Sequence, residues 1–135
     1  MSGSLIDIRV RFPVDDVALS QLHRRAFGSS AAGTEAWAAR LERHSLTWVG
    51  AFDGETPLGF VQVCWDGGAH AFILDTVVDL THRRRGIGQQ LVEAAVEEVR
   101  KAGCEWVHVD FEPQLSEFYV TTCGFRPTAA GLYRL

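Results

Sequence analysis

Residues 77–94, VVDLTHRRRGIGQQLVEA, narrow the fold of this chain more than any other stretch. An apolar run ends in a turn holding three arginines and two glycines. A helical stripe then begins at once, with Ile87, Leu91, Ala95 and Val99 four residues apart and Glu93, Glu97 and Lys101 on the solvated side. Gly103 stands where such a helix ends, and the strand-like EWVHVDF follows. Strand, helix and strand over residues 69–111 predict a right-handed parallel crossover. A helix that opens straight after a strand leaves its first N–H groups unpaired and presents the positive end of its dipole. Gly86 and Gly88 remove the side chains that would hold an anion away from those amides, and Arg83, Arg84 and Arg85 add charged donors. The turn therefore predicts a phosphate site, against the plainer alternative of solvated arginines beside a tight turn. It is neither GxxxxGK[ST] nor GxGxxG, since the third position of the latter is Leu91.

Around this unit the chain reads as one domain over residues 1–135, and 47% hydrophobic residues suffice for a core. Residues 5–12 alternate as a first strand ending at Pro13. Asp15 and Asp16 cap a helix closed by Gly28, and Thr34 is expected to cap a second helix with Trp37 and Leu41 on one face. LTWVGAF and LGFVQVCW flank a hairpin at Asp53–Gly54, and a turn over residues 66–68 leads into a long strand. QLSEFYVTTCG reads as a short helix stopped at Gly124, and residues 125–135 as a closing hairpin. The order is β-α-α-β-β-β-α-β-α-β-β, an α/β fold with a mixed central sheet flanked by helices.

The net charge of −4 gives no general attraction to nucleic acid or acidic membranes, so positive charge matters only where it clusters. Three scattered cysteines without a CxxC pair fit a reducing, cytoplasmic compartment. The charged N-terminus lacks a secretory h-region, and no run reaches membrane-spanning length.

RRRGIGQQL resembles the R/Q-x-x-G-x-G/A signature of the GNAT superfamily of acetyl-CoA-dependent N-acetyltransferases, with Arg83, Gly86 and Gly88 at its defining positions. EFYVTTCGF, residues 117–125, resembles the family's F-Y-x-x-x-G-F. The resemblance implies acetyl-CoA as cosubstrate, its pyrophosphate on the amides of Arg84, Arg85, Gly86, Ile87, Gly88 and Gln89, with Gln90 beside them. It implies a pantetheine arm paired to the strand at Val77, Val78 and Asp79, and a splay between that strand and the next that admits the acceptor. It also implies an amine-bearing acceptor, small molecule or peptide, and allows a homodimer through paired sheet edges.

Acetyl transfer needs a neutral amine, donors for the oxyanion and an acid for the departing thiolate. An N–H near Val77 or Val78 is the oxyanion candidate. Tyr119 aligns with the family's acid tyrosine, with packing beside Phe118 as the structural alternative. For the base, Asp75 sits where many relatives carry an acid. His108 and Asp110 share one side of the next strand, and Glu112 follows that strand. A water-relayed base stays open. FEPQ replaces the asparagine that many members use to hold the cofactor. His70, His108 and Asp110 have ligating atoms, yet their spacing demands no metal and none is expected. Cys123, at a helix C-terminus, is a poor nucleophile. Acceptor choice is assigned to the two N-terminal helices, the loop over residues 28–33 and the hairpin over residues 66–70. Phe27, Trp37, Trp48 and Trp65 are its aromatic candidates. The competing function on the same scaffold is a silent acyl-CoA sensor, which has no need of Tyr119.

Overall fold

The structure is a computed structural model that describes residues 5–28 and 33–135. Its frame is a five-stranded sheet in sequential order: β1 (Asp7–Val10), β2 (Ser45–Asp53), β3 (Thr56–Trp65), β4 (His70–Val78) and β5 (Trp106–Val109). The first four strands pair antiparallel, as the tight turns after Asp53 and Trp65 require, and β5 joins β4 in parallel through helix α3 (Ile87–Lys101). Ile87, Leu91, Ala95 and Val99 bury against Val49, Val61, Val63 and Ile73 on one sheet face. On the other face α1 (Asp16–Phe27) and α2 (Trp37–His44) pack Leu19, Leu22, Trp37 and Leu41 against Trp48, Phe52, Phe60 and Val77.

The ends of α1 are as the sequence requires. The Asp15 carboxylate accepts from Ala18 N at 3.1 Å, and Gly28 takes the left-handed conformation, φ 65°. The first strand is shorter than the alternation suggested. Arg11 takes a positive φ and its N–H turns to Trp48 O, which ends regular pairing at Val10.

Two expectations are corrected. Thr34 does not cap α2: the helix starts three residues later with Ala36 as its cap, and Asp16 of α1 takes the Ala38 N–H instead. The closing hairpin does not form, since residues 124–135 carry no strand. Pro127 removes a ladder donor, and the small residues of 128–131 bury too little to hold a pair of strands. The element order otherwise agrees up to the helical turn at Glu117–Thr122. Among the described residues, no helix is long and apolar enough to cross a membrane.

Candidate active site

Strands β4 and β5 pair only from His70↔Trp106 to Ile73↔Val109, although β4 runs on to Val78. The last residues of β4 therefore have a free edge toward β5, and the two strands frame a wedge. Val78 opposes Gly59 on β3, and Asp79 N donates to Leu58 O at 2.7 Å. That bond makes Val78↔Gly59 a non-hydrogen-bonded pair, so the Val78 N–H and C=O both turn to the open edge. Arg83 takes the carbonyl through Nε at 3.3 Å and spans to Ala26 O through Nη2 at 3.0 Å. The Val78 N–H is left to the wedge.

The wedge widens into a cavity of about 890 Å³. Thr76, Val77 and Val78 form one wall, Arg83, Arg84, Gly86, Ile87, Gly88 and Gln89 form its end, and Leu115, Phe118 and Tyr119 lie opposite. The arginine-glycine turn reaches the helix by two left-handed residues, Arg84 (φ 66°) and Gly86 (φ 76°), the latter being the N-cap of α3. Such a turn aims successive amides at one concavity. Gly88 lets Phe118 pack close to the helix: a Cβ there would lie 3.2 Å from Phe118 Cζ.

Tyr119 is 5% exposed, stacked on Phe111 at 5.0 Å and edge-on to Phe118 and Phe125. Burial pushes its phenol above the ordinary value, so it stays a protonated acid at neutral pH. The Thr76 hydroxyl lies near enough to oppose that rise, yet it makes no hydrogen bond of good geometry with any described residue.

Asp75 stands just before this wall, in a bulge. Gln62↔Leu74 is followed by Phe60↔Val77, so two residues of β4 face one of β3, and Asp75 takes φ 58°. A non-glycine residue there costs about 1–2 kcal/mol, and a bulge re-aims the side chain it contains. The carboxylate is turned to Gln62, whose Nε2 donates to Oδ2 at 2.5 Å and whose Oε1 accepts from Ser45 Oγ at 2.7 Å.

The structure thus gathers Val77, Val78, Arg83, Arg84, Gly86, Ile87, Gly88, Gln89 and Tyr119 around one cavity. Arg85 and Gln90 are exposed and do not line it. Asp79 is occupied as a cap. Burial opposes its ionisation, but the Thr81 N–H and hydroxyl and the Arg25 guanidinium outweigh that and hold it below the usual carboxylate range. His108 and Asp110 line a separate groove between β5 and residues 125–132. There His108 Nε2 meets His70 Nδ1 at 2.8 Å, and Phe72 stacks on the His108 ring. Glu112 precedes the short 3-10 turn Pro113–Leu115, makes no side-chain cap bond to it and does not line the cavity.

Of the aromatic candidates, Phe27 lines the cavity while Trp37 and Trp48 are core. The loop assigned to acceptor choice lies mostly outside the described residues, at 29–32. Burial pushes the Cys123 thiol up, consistent with its dismissal as a nucleophile. Among the described residues no cluster of three or more His, Cys, Asp or Glu is placed to hold a metal.

Sequence reasoning passed over Thr76 and His23. A histidine among Leu19, Leu22 and Ala26 on the apolar face of α1 was the available signal for the second.

The profile of the acetyltransferase (GNAT) family matches residues 16–125. The chain is 37% identical over 76 residues to glucosamine 6-phosphate N-acetyltransferase 1 of Oryza sativa subsp. japonica, covering 55% of this chain and 44% of that one. It spans less than half the length of the curated relatives it matches. A GNAT-family acetyltransferase of Streptococcus pneumoniae superimposes with TM-score 0.79 at 23% identity, over 97% of this chain and 98% of that one. Aminoglycoside N-acetyltransferase AAC(6')-Iy, in complex with CoA, superimposes with TM-score 0.76 at 20% identity, over 98% and 95% of the two chains.

Proposed function

The chain belongs to the GNAT acetyltransferase family, and from that premise we propose that it is an N-acetyltransferase that moves the acetyl group of acetyl-CoA directly to a primary amine. The observation that carries the reading is the free edge of β4 meeting the N-terminus of α3 and Tyr119 around one cavity. The amides of residues 84–89, with Arg84 beside them, hold the pyrophosphate. The pantetheine arm lies along Thr76, Val77 and Val78 as an added strand. The thioester supplies the activated acyl group. Val78 N–H is the donor for the oxyanion, and the protonated Tyr119 gives its proton to the departing sulfur. The phenolate is reprotonated by the second proton that the nitrogen sheds as the amide forms. Asp75, one residue before the cavity wall and outside its lining, is assigned to relieve the incoming ammonium of a proton, because an alkyl ammonium with a pKa of about 10 is no nucleophile.

The fit of the cosubstrate is supported by Gly86, the N-cap of α3, where a Cβ would meet nothing within 4 Å and the helix end lies open. The names of the rice relative and of the CoA-bound neighbour carry an amino sugar phosphate and an aminoglycoside, both consistent with a primary amine.

Thermal unfolding with acetyl-CoA, CoA, ATP and NAD, followed by a thiol-release screen over primary amines, tests the reading. Ligand at 100 times Kd stabilises by about 2.7 kcal/mol. Acetyl-CoA and CoA are expected to raise Tm and the other two to leave it unchanged. No rise with acetyl-CoA would overturn the proposal.

A further inference from the structure

We infer that His23 is the proton-holding partner of Asp75 on the acceptor side of the wedge. The inference rests on the acetyltransferase reading above, in which an ammonium approaches Asp75.

His23 projects from α1 into a cage made by Trp37 (ring centroids 4.4 Å apart), Phe60 (5.6 Å) and Phe27 (5.9 Å). Its Nδ1 lies 3.3 Å from Leu19 O, one turn back on the same helix. A carbonyl only accepts, so Nδ1 carries the hydrogen and Nε2 presents a lone pair. That Nε2 is buried without a hydrogen-bond partner among the described residues, and Asp75 Oδ1 faces it at 3.9 Å. An unsatisfied buried acceptor costs about 1–3 kcal/mol, and leucine would fill the same cage without that cost. A histidine kept only for packing has no reason to leave its second nitrogen empty and aimed at a carboxylate.

Asp75 is built to match. The bulge and the positive φ turn its side chain to this side of the sheet, and Gln62 occupies Oδ2, leaving Oδ1 toward His23. Asp75 keeps about a third of its side chain in solvent, against 12% for His23. Asp75 is therefore the gate between acceptor and imidazole. The charges facing His23 come from Asp75 on β4, Glu35 ahead of α2 and Arg40 on α2. Burial outweighs the pull of the two acids and holds the imidazole below its ordinary pKa, so the lone pair is free at neutral pH.

The proton transfer balances. The ammonium N–H breaks as an O–H forms on Asp75. That O–H breaks as Nε2–H forms, leaving a neutral amine and an imidazolium facing a carboxylate. The proton returns to solvent through Asp75 once the product has left. His23 acts through Asp75 and is a positioning residue for the proton.

Two measurements decide the matter. Imidazole NMR titration of the wild type is expected to give a His23 midpoint below about 6.5, with the Nδ1–H tautomer at high pH. Asp75→Asn is expected to lower that midpoint further, by removing the carboxylate that favours the charged form. A midpoint that Asp75→Asn leaves unmoved overturns the inference.

Kinetics at saturating acetyl-CoA use the fastest amine from the thiol-release screen. His23→Gln keeps polarity and size but holds no proton. It is expected to lower kcat/KM for the amine about tenfold or more and to abolish the acidic limb of the pH profile, with acetyl-CoA affinity unchanged. His23→Leu, which fills the cage, should do the same while raising stability. Wild-type kcat/KM and an unchanged profile in both variants overturn the role of His23 alone. Wild-type activity in Asp75→Asn overturns the role of Asp75 and this inference with it, while leaving the binding of acetyl-CoA standing.

Discussion

Replacing Tyr119 by phenylalanine removes one oxygen and little else. The ring keeps its stacking on Phe111 and its edge contacts with Phe118 and Phe125, so stability should change by less than about 1 kcal/mol. In the proposed function acetyl-CoA is held by the amides at the start of α3 and by the edge of β4, neither of which the substitution touches. Turnover is another matter. A positioned general acid contributes about 10²–10⁴-fold, and taking the lower end sets the loss at about 2.7 kcal/mol of transition-state stabilisation. Burial raises the phenol above its ordinary value, so across neutral pH it is fully protonated and the whole of that loss is exposed by the substitution. Tyr119→Phe should therefore lower kcat about 100-fold, with the Kd of acetyl-CoA within a factor of two. Thiol release gives the first quantity and titration calorimetry the second. A kcat within twofold of wild type refutes the acid role of Tyr119. A matching loss of affinity and rate would mean that the hydroxyl only shapes the cavity.

Gly86→Glu forces a side chain onto a left-handed residue and sets a carboxylate at the positive end of α3. The rise in Tm with acetyl-CoA should vanish, and a wild-type rise would place the phosphate elsewhere. Arg83 ties the end of β4 to the end of α1 through Val78 O and Ala26 O. Arg83→Ala should cost about 1 kcal/mol by urea unfolding and weaken acetyl-CoA several-fold, and unchanged stability would show that the clip holds nothing. His23 has a depressed folded-state pKa, so the stability it contributes is full above about pH 6.5 and is lost as pH falls through its folded value. Melts between pH 8 and 5 should show that loss in the wild type and a flatter course in His23→Leu, and equal slopes would dismiss the titration of His23.

Much of this site was legible in the sequence because it is local. The strand, the turn and the amphipathic helix of residues 77–101 follow from consecutive residues, and so do the amides that a helix start leaves unpaired. The F-Y-x-x-x-G-F segment was equally legible, down to Tyr119. Asp75 was legible among four base candidates, but the sequence could not choose between them. Alternation along β4 assigns faces correctly until the bulge at Asp75, where one extra residue shifts the parity, and sequence periodicity carries no mark of that insertion. His108 and Asp110 share a strand side as expected, yet they line another groove, which the segment after Gly124 forms beside β5. His23 and Asp75 stand 52 residues apart in the chain, and only the packing of α1 across β3 and β4 sets them face to face. The amino-acid order by itself determined the turn and the unpaired amides at the start of α3, since those depend on neighbours along the backbone. The tertiary structure decided which acid meets which base, since that depends on how far two strands part and which helix covers the gap.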